Sequence, residues 1–91
     1  MEFEWDDAKA KSNLAKHGVP FVFAVRVFLD PRRAEFDASR EADSEARRKA
    51  VGMIEERLFT VVFTHRDGRV RIISARRSNS NEESAYGSFH A

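Results

Sequence analysis

Apolar and polar positions along this chain follow two different periods, and the change comes near residue 31. Before it, Asp6, Lys9, Asn13 and His17 are spaced by three and four, which places them on one polar stripe of a helix. Asp6 or Asp7 is suited to cap that helix, and Gly18 suits the left-handed residue that ends it. A short strand, "FEW" (3–5), precedes the cap. "PFVFAVRVFLDP" (20–31) has the Val and Phe content of a strand, yet Phe21, Ala24, Val25 and Phe28 fall at i, i+3, i+4 and i+7. Pro20 suits a first turn and Asp30-Pro31 a stop, so the spacing predicts a second helix. Val22, Arg26 and Leu29 then lie on its outer side.

After Pro31 the period becomes two. "RRAEFDA" (32–38), "RRKAVGM" (47–53), "RLFTVVFTH" (57–65) and "RVRIISAR" (69–76) read as strands. Glu55-Glu56 forms one turn, and Asp67-Gly68 gives the strongest hairpin signal in the chain. On 69–76, strict alternation sends Val70, Ile72, Ser74 and Arg76 to one face and Arg71, Ile73 and Ala75 to the other. Ser80 and Glu83 have capping-box spacing for a last helix reaching at least Tyr86. The predicted order is β-α-α-β-β-β-β-α: an α+β domain, residues 1–91, with a mostly antiparallel sheet and helices packed on one face.

Composition narrows the class. At 42% hydrophobic residues with eight phenylalanines, 91 residues can bury one core without disulfides or metal. There is no cysteine, so disulfides and thiolate zinc sites are excluded. The acidic N-terminus is unlike a signal peptide, and no apolar run approaches a membrane span, so the expectation is a cytoplasmic protein.

The net charge of +1 conceals segregation. Residues 9–26 carry Lys9, Lys11, Lys16 and Arg26 with no acid, and 65–77 carry five arginines against Asp67. Residues 35–45 carry Glu35, Asp37, Glu41, Asp43 and Glu45 against Arg40. This suggests a polyanion-binding face with an acidic edge elsewhere. Within "RIISARR" (71–77), arginines flank an apolar strand, where a guanidinium requires an anion. A phosphate would serve, and so would Asp37, Glu41 or Glu83. His17, at the negative end of its helix, fits an acid and phosphate ligand, or equally a cap on free carbonyls.

There is no Gly-rich phosphate loop and no HExxH, and His17, His65 and His90 lack metal-ligand spacing. Neither a metal nor a cofactor is expected. The remaining inventory suits metal-free RNA cleavage by the substrate's own 2′-hydroxyl, which needs a base, an acid and positive charge around the phosphorane.

Taken in order, "FEWDDAKAKSNLAKHGVPF", then "VF" and "DP", then "VVFTHRDGRVRIISARR" with Glu82 and Tyr86 soon after, resembles the BrnT family of type II toxin–antitoxin modules. The most specific parts are Trp5-Asp6, Lys9, Asn13, Lys16-His17-Gly18 and "RIISAR". The resemblance implies a RelE-like fold, RNA cleavage that arrests growth, and neutralisation by a BrnA-like ribbon-helix-helix antitoxin. It also implies operator DNA reached only through the antitoxin, and a homodimer or a toxin–antitoxin heterotetramer. Two features depart from it. A polar, acidic segment follows "ISAR" where relatives have a basic helix, and Val22-Phe23 stands where they often have acids.

The expected catalytic group is Lys16, His17, Arg71, Arg76 and Tyr86, with the sheet bringing Lys16 and His17 beside the two arginines. Trp5, Lys9, Asn13, Arg66, Arg69 and Arg77 are the expected RNA contacts, and Val22, Arg26 and Leu29 the expected partner surface. A non-catalytic nucleic-acid or ribosome-binding module, or an inactive toxin kept as antitoxin co-repressor, is the alternative.

Overall fold

Turn chemistry sets the sheet. Asp67 and Gly68 both have positive φ, as a two-residue hairpin loop requires, and so do Glu55 and Glu56, neither of which is glycine. The computed structural model describes residues 1–89; His90 and Ala91 lie outside the described residues. Its elements are β1 (Phe3–Glu4), α1 (Asp7–His17), α2 (Phe21–Ala24) running into a 3-10 segment (Val25–Leu29), β2 (Ala34–Asp37), β3 (Arg48–Ile54), β4 (Arg57–Arg66), β5 (Arg69–Arg77) and α3 (Ser80–Phe89). The sheet order is β1-β5-β4-β3-β2, antiparallel except for the β1–β5 edge. Both the α+β class and the element order match the expectation.

Asp6 rather than Asp7 caps α1, accepting a hydrogen bond from the Lys9 amide at 3.0 Å. The second helix tightens after Ala24, and the tightening changes which residues it buries. Three residues per turn bring Phe21, Ala24 and Val27 into line, so Val27 is fully buried and Val25 only partly so. Gly52 allows this close approach: a Cβ there would lie 2.8 Å from the Val27 side chain and 2.9 Å from its carbonyl oxygen. Phe28 packs between Phe3 and Phe63, with ring centroids 5.2 and 5.1 Å away. Phe21, Phe59, Val61, Phe63, Val70 and Ile72 complete the core on this face.

Two expectations about faces are corrected. The helices do not share one face: α3 meets β2 and β3 on the side opposite α1 and α2, where Val51 and Thr60 are fully buried. The alternation along β5 also breaks. Phe63 pairs with Ile72 but Val62 pairs with Ser74, leaving Ile73 as a bulge. After the bulge Ala75 and Arg77 face α1, while Ser74 and Arg76 face α3. Arg71 and Arg76, assigned to opposite faces by strict alternation, therefore share one.

Candidate functional site

β1 pairs with β5 only at Val70 and Arg71, so the rest of that edge must find other partners. Asn13 supplies them. Its side-chain amide donates to the Ala75 carbonyl at 2.8 Å and accepts from the Ala75 amide at 3.0 Å, imitating a neighbouring strand. It also donates to the Val19 carbonyl at 3.0 Å, and it is buried. The polar stripe of α1 is thus the face laid along β5, and Asn13 is a clasp whose polar atoms are all used internally.

At the N-terminal end of α1, Lys9, Arg47, Arg66 and Arg71 line a hollow of ≈ 150 Å³ with Ser44, Glu45, Thr64 and Ile73. The acidic loop does not form a separate edge. It folds back so that Glu45 pairs with Arg66, and Asp43 pairs with Arg47 at 3.4 Å. The hydrogen bonds from Arg66 hold the Glu45 carboxyl below its ordinary pKa. Arg71 is held by Glu4 at 2.6 Å, and Arg69 by Glu2 and Glu4 at 3.3 and 3.7 Å.

At the other end of α1 lies a wider recess of ≈ 430 Å³, lined by His17, Gly18, Val19, Pro20, Phe23, Arg57, Phe59 and Arg77. The Arg77 guanidinium lies over the Phe59 ring, 5.7 Å from its centroid, and Phe23 meets Phe59 edge-on at 5.3 Å. Among the described residues no carboxylate lines this recess, and neither Arg57 nor Arg77 is in an ion pair. Lys9 and His17 stand eight residues apart on a helix rising about 1.5 Å per residue, so the two cationic places are about 12 Å apart along one edge.

Beneath α3 the cations have found their anion. Arg76 grips Glu82 with two bonds of 2.7 Å, and Lys49 reaches the same carboxylate at 3.1 Å. The Thr60 hydroxyl and the Asn79 amide each donate to it at 2.9 Å. Burial pushes the Glu82 carboxyl up, but these donors, Arg76 foremost, outweigh burial and bring it down to about 2. Asn79 and Glu82 also form the capping box of α3, one residue before the expected Ser80–Glu83 pair. Tyr86 donates to Asp30 at 2.7 Å, and burial together with that bond raises its phenol.

The expected catalytic group is therefore not one site. Arg71 lies in the Lys9 hollow and His17 in the recess, with Lys16 exposed beside it; Arg76 beneath α3 and Tyr86 on α3 are engaged by carboxylates. The bulge turns Arg76 away from α1, which is why the sheet cannot bring it to His17. Among the described residues, no three His, Asp or Glu side chains are grouped to hold a metal.

The family model for "Ribonuclease toxin, BrnT, of type II toxin-antitoxin system" matches residues 5–82, nearly the whole fold up to the first turn of α3. The chain belongs to the BrnT toxin family. Comparison with curated proteins finds no match. As a BrnT-family chain it is a toxin of the ribonuclease class with an antitoxin partner implied by its module type.

Of the other expected contacts in this BrnT-family chain, Trp5 lines neither the Lys9 hollow nor the recess. It meets Phe21 edge-on at 5.8 Å and lines an apolar hollow of ≈ 190 Å³ with Leu14 and Val22. Val22 and Leu29 are exposed, at 68% and 78%, while Arg26 bridges to Glu55 at 2.7 Å. Sequence reasoning missed Glu82 as the anion and Arg57 as a cation of the recess. The Asn79-x-x-Glu82 spacing could have found the first; nothing local signals the second.

Proposed function

We propose that this protein is a metal-independent endoribonuclease that cleaves RNA along the α1–β5 edge, acting in the cytoplasm to halt growth until a BrnA-like ribbon-helix-helix antitoxin neutralises it. The observation that carries this reading is the recess at the end of α1, which His17, Arg57 and Arg77 line together and where neither arginine is in an ion pair among the described residues. Cleavage needs a base to take the 2′-hydroxyl proton, an acid to protonate the departing 5′-oxygen, and positive charge around the phosphorane. The O2′–P bond forms as the P–O5′ bond breaks, leaving a 2′,3′-cyclic phosphate and a free 5′-hydroxyl. His17 serves as one proton-transfer group, Arg57 and Lys16 supply charge, and Lys9 with Arg71 holds a phosphate further along the chain. Arg76 and Tyr86, engaged by Glu82 and Asp30, serve the fold.

Purified protein incubated with RNA in the presence of a chelator should cleave it. His17→Ala should slow cleavage by about 10²–10⁴. RNA that is bound but left intact would sink this reading in favour of a non-catalytic binder or co-repressor. The closed state of Arg71 and Arg76 on Glu4 and Glu82 favours that second reading.

A further inference from the structure

We infer that the recess between the end of α1 and the β4–β5 strands is a single-nucleotide subsite, which seats one base of the RNA on the Arg77 guanidinium and that nucleotide's phosphate against Arg57 and His17. The inference rests on the ribonuclease reading for its ligand, but its geometry stands apart. At ≈ 430 Å³ the recess falls within the roughly 300–1,000 Å³ of small-ligand pockets, whereas the hollow around Arg71 is ≈ 150 Å³. Its floor is aromatic, formed by Phe23 and Phe59.

Phe59 is nearly buried, so a base cannot lie on its face directly. Arg77 already occupies that face, 5.7 Å from the centroid, and turns the ring into a support for a flat cation. Single-stranded RNA is recognised by stacking on aromatic rings and on guanidinium planes, and every base has a π-face to offer. One face of the Arg77 guanidinium meets the ring and the residue is otherwise exposed, which leaves the opposite face to a base. Arg57 begins β4 at the rim, exposed and without an ion pair among the described residues. With His17 and, among the described residues, no lining carboxylate, the charge of the recess is complementary to a phosphate. The lone phosphate that Lys9 and Arg71 could take offers no such support for a base.

The test is titration of the full chain with adenosine 5′-monophosphate, uridine 5′-monophosphate and inorganic phosphate, followed by NMR through the His17 ring and the amides of 17–19, 21–23, 57–59 and 75–77. Both nucleotides should shift these signals, and inorganic phosphate should bind at least about tenfold more weakly, because stacking contributes most of the affinity. Arg77→Ala should weaken nucleotide binding about tenfold or more while barely changing inorganic phosphate, and Arg57→Ala should weaken all three. Equal binding of phosphate and nucleotides, shifts confined to the Lys9–Arg71 end, or an Arg77→Ala protein that binds as the parent does would each overturn the subsite. RNA cleavage is measured in parallel on the same proteins. Nucleotide binding without cleavage would refute the ribonuclease reading and leave the subsite intact; cleavage with unchanged KM in both arginine variants would refute the subsite and leave the ribonuclease.

Discussion

Arg76 and Arg77 are neighbours in the chain, and the fold gives them opposite surroundings. Arg76 faces α3, where a buried carboxylate and a lysine complete a closed network around it. Arg77 faces α1, lies on an aromatic ring, and has no ion-pair partner among the described residues. The same side chain stabilises the fold in one place and is left available in the other. The difference lies in where a carboxylate could be delivered. The short Ser78-Asn79 connection to α3 carries Glu82 back onto Arg76, whereas among the described residues no carboxylate lines the recess that Arg77 borders.

The largest effect should come from removing the shared anion. Glu82→Ala leaves Arg76 and Lys49 facing each other and Thr60 with only the Ser78 hydroxyl as partner, and should lower the unfolding free energy by about 3 kcal/mol. That is the lower end for a broken buried pair, since Arg76 and Lys49 keep some access to water. Urea denaturation measures it, and a loss under about 1 kcal/mol would mean the closed network is not what distinguishes Arg76.

Acid should act through the same carboxylate with comparable size. Glu82 titrates near 2 in the folded protein against an ordinary 4.5, so its contribution is complete above about pH 4.5 and is lost as pH falls toward 2. A shift of this size corresponds to roughly 3 kcal/mol at most. Because Asp37, Asp43 and Glu45 are also held low, the check is the difference between wild type and Glu82→Gln, which should vanish at the acid end. A difference that stays constant with pH would show that Glu82 is not the group being titrated.

Exchanging the arginines one at a time sharpens the contrast. Arg76→Ala should cost about 2 kcal/mol of stability, because Glu82 then keeps only Lys49 as a cation. Arg77→Ala should change stability by no more than about 0.5 kcal/mol and should reduce RNA cleavage instead. Thermal melts and cleavage rates on the two proteins give the answer, and equal melting losses would erase the distinction.

The smallest expected effect on the fold concerns the outer surface of α2 and the 3-10 segment. Val22→Glu with Leu29→Glu should leave stability within about 0.5 kcal/mol, since both side chains are exposed, yet weaken antitoxin binding roughly tenfold. Titration calorimetry with the cognate antitoxin checks this, and unchanged affinity would remove these residues from the interface.

Much of the architecture was legible because it depends on neighbours in sequence. Asp6 capping α1, Gly18 ending it, and the Asp67-Gly68 turn each follow from local hydrogen bonding or a positive φ. The Ile73 bulge was not legible, since an extra residue in one strand leaves the hydrophobic pattern nearly intact while reversing every face beyond it. The 3-10 tightening was equally hidden: it answers to Gly52 on another strand, not to the helix's own residues.

The sequence by itself determined that arginines would cluster on one strand and at its ends, and that each would need a counter-charge or a ligand, because burying part of a guanidinium unpaired is unfavourable whatever the fold. Only the tertiary structure decided which counter-charge each received. Glu82 lies six residues from Arg76 but thirty-three from Lys49, and Glu4 lies sixty-seven from Arg71. Ion pairing depends on distance in space, and that distance was fixed by sheet register, one bulge and the direction in which α3 turns back.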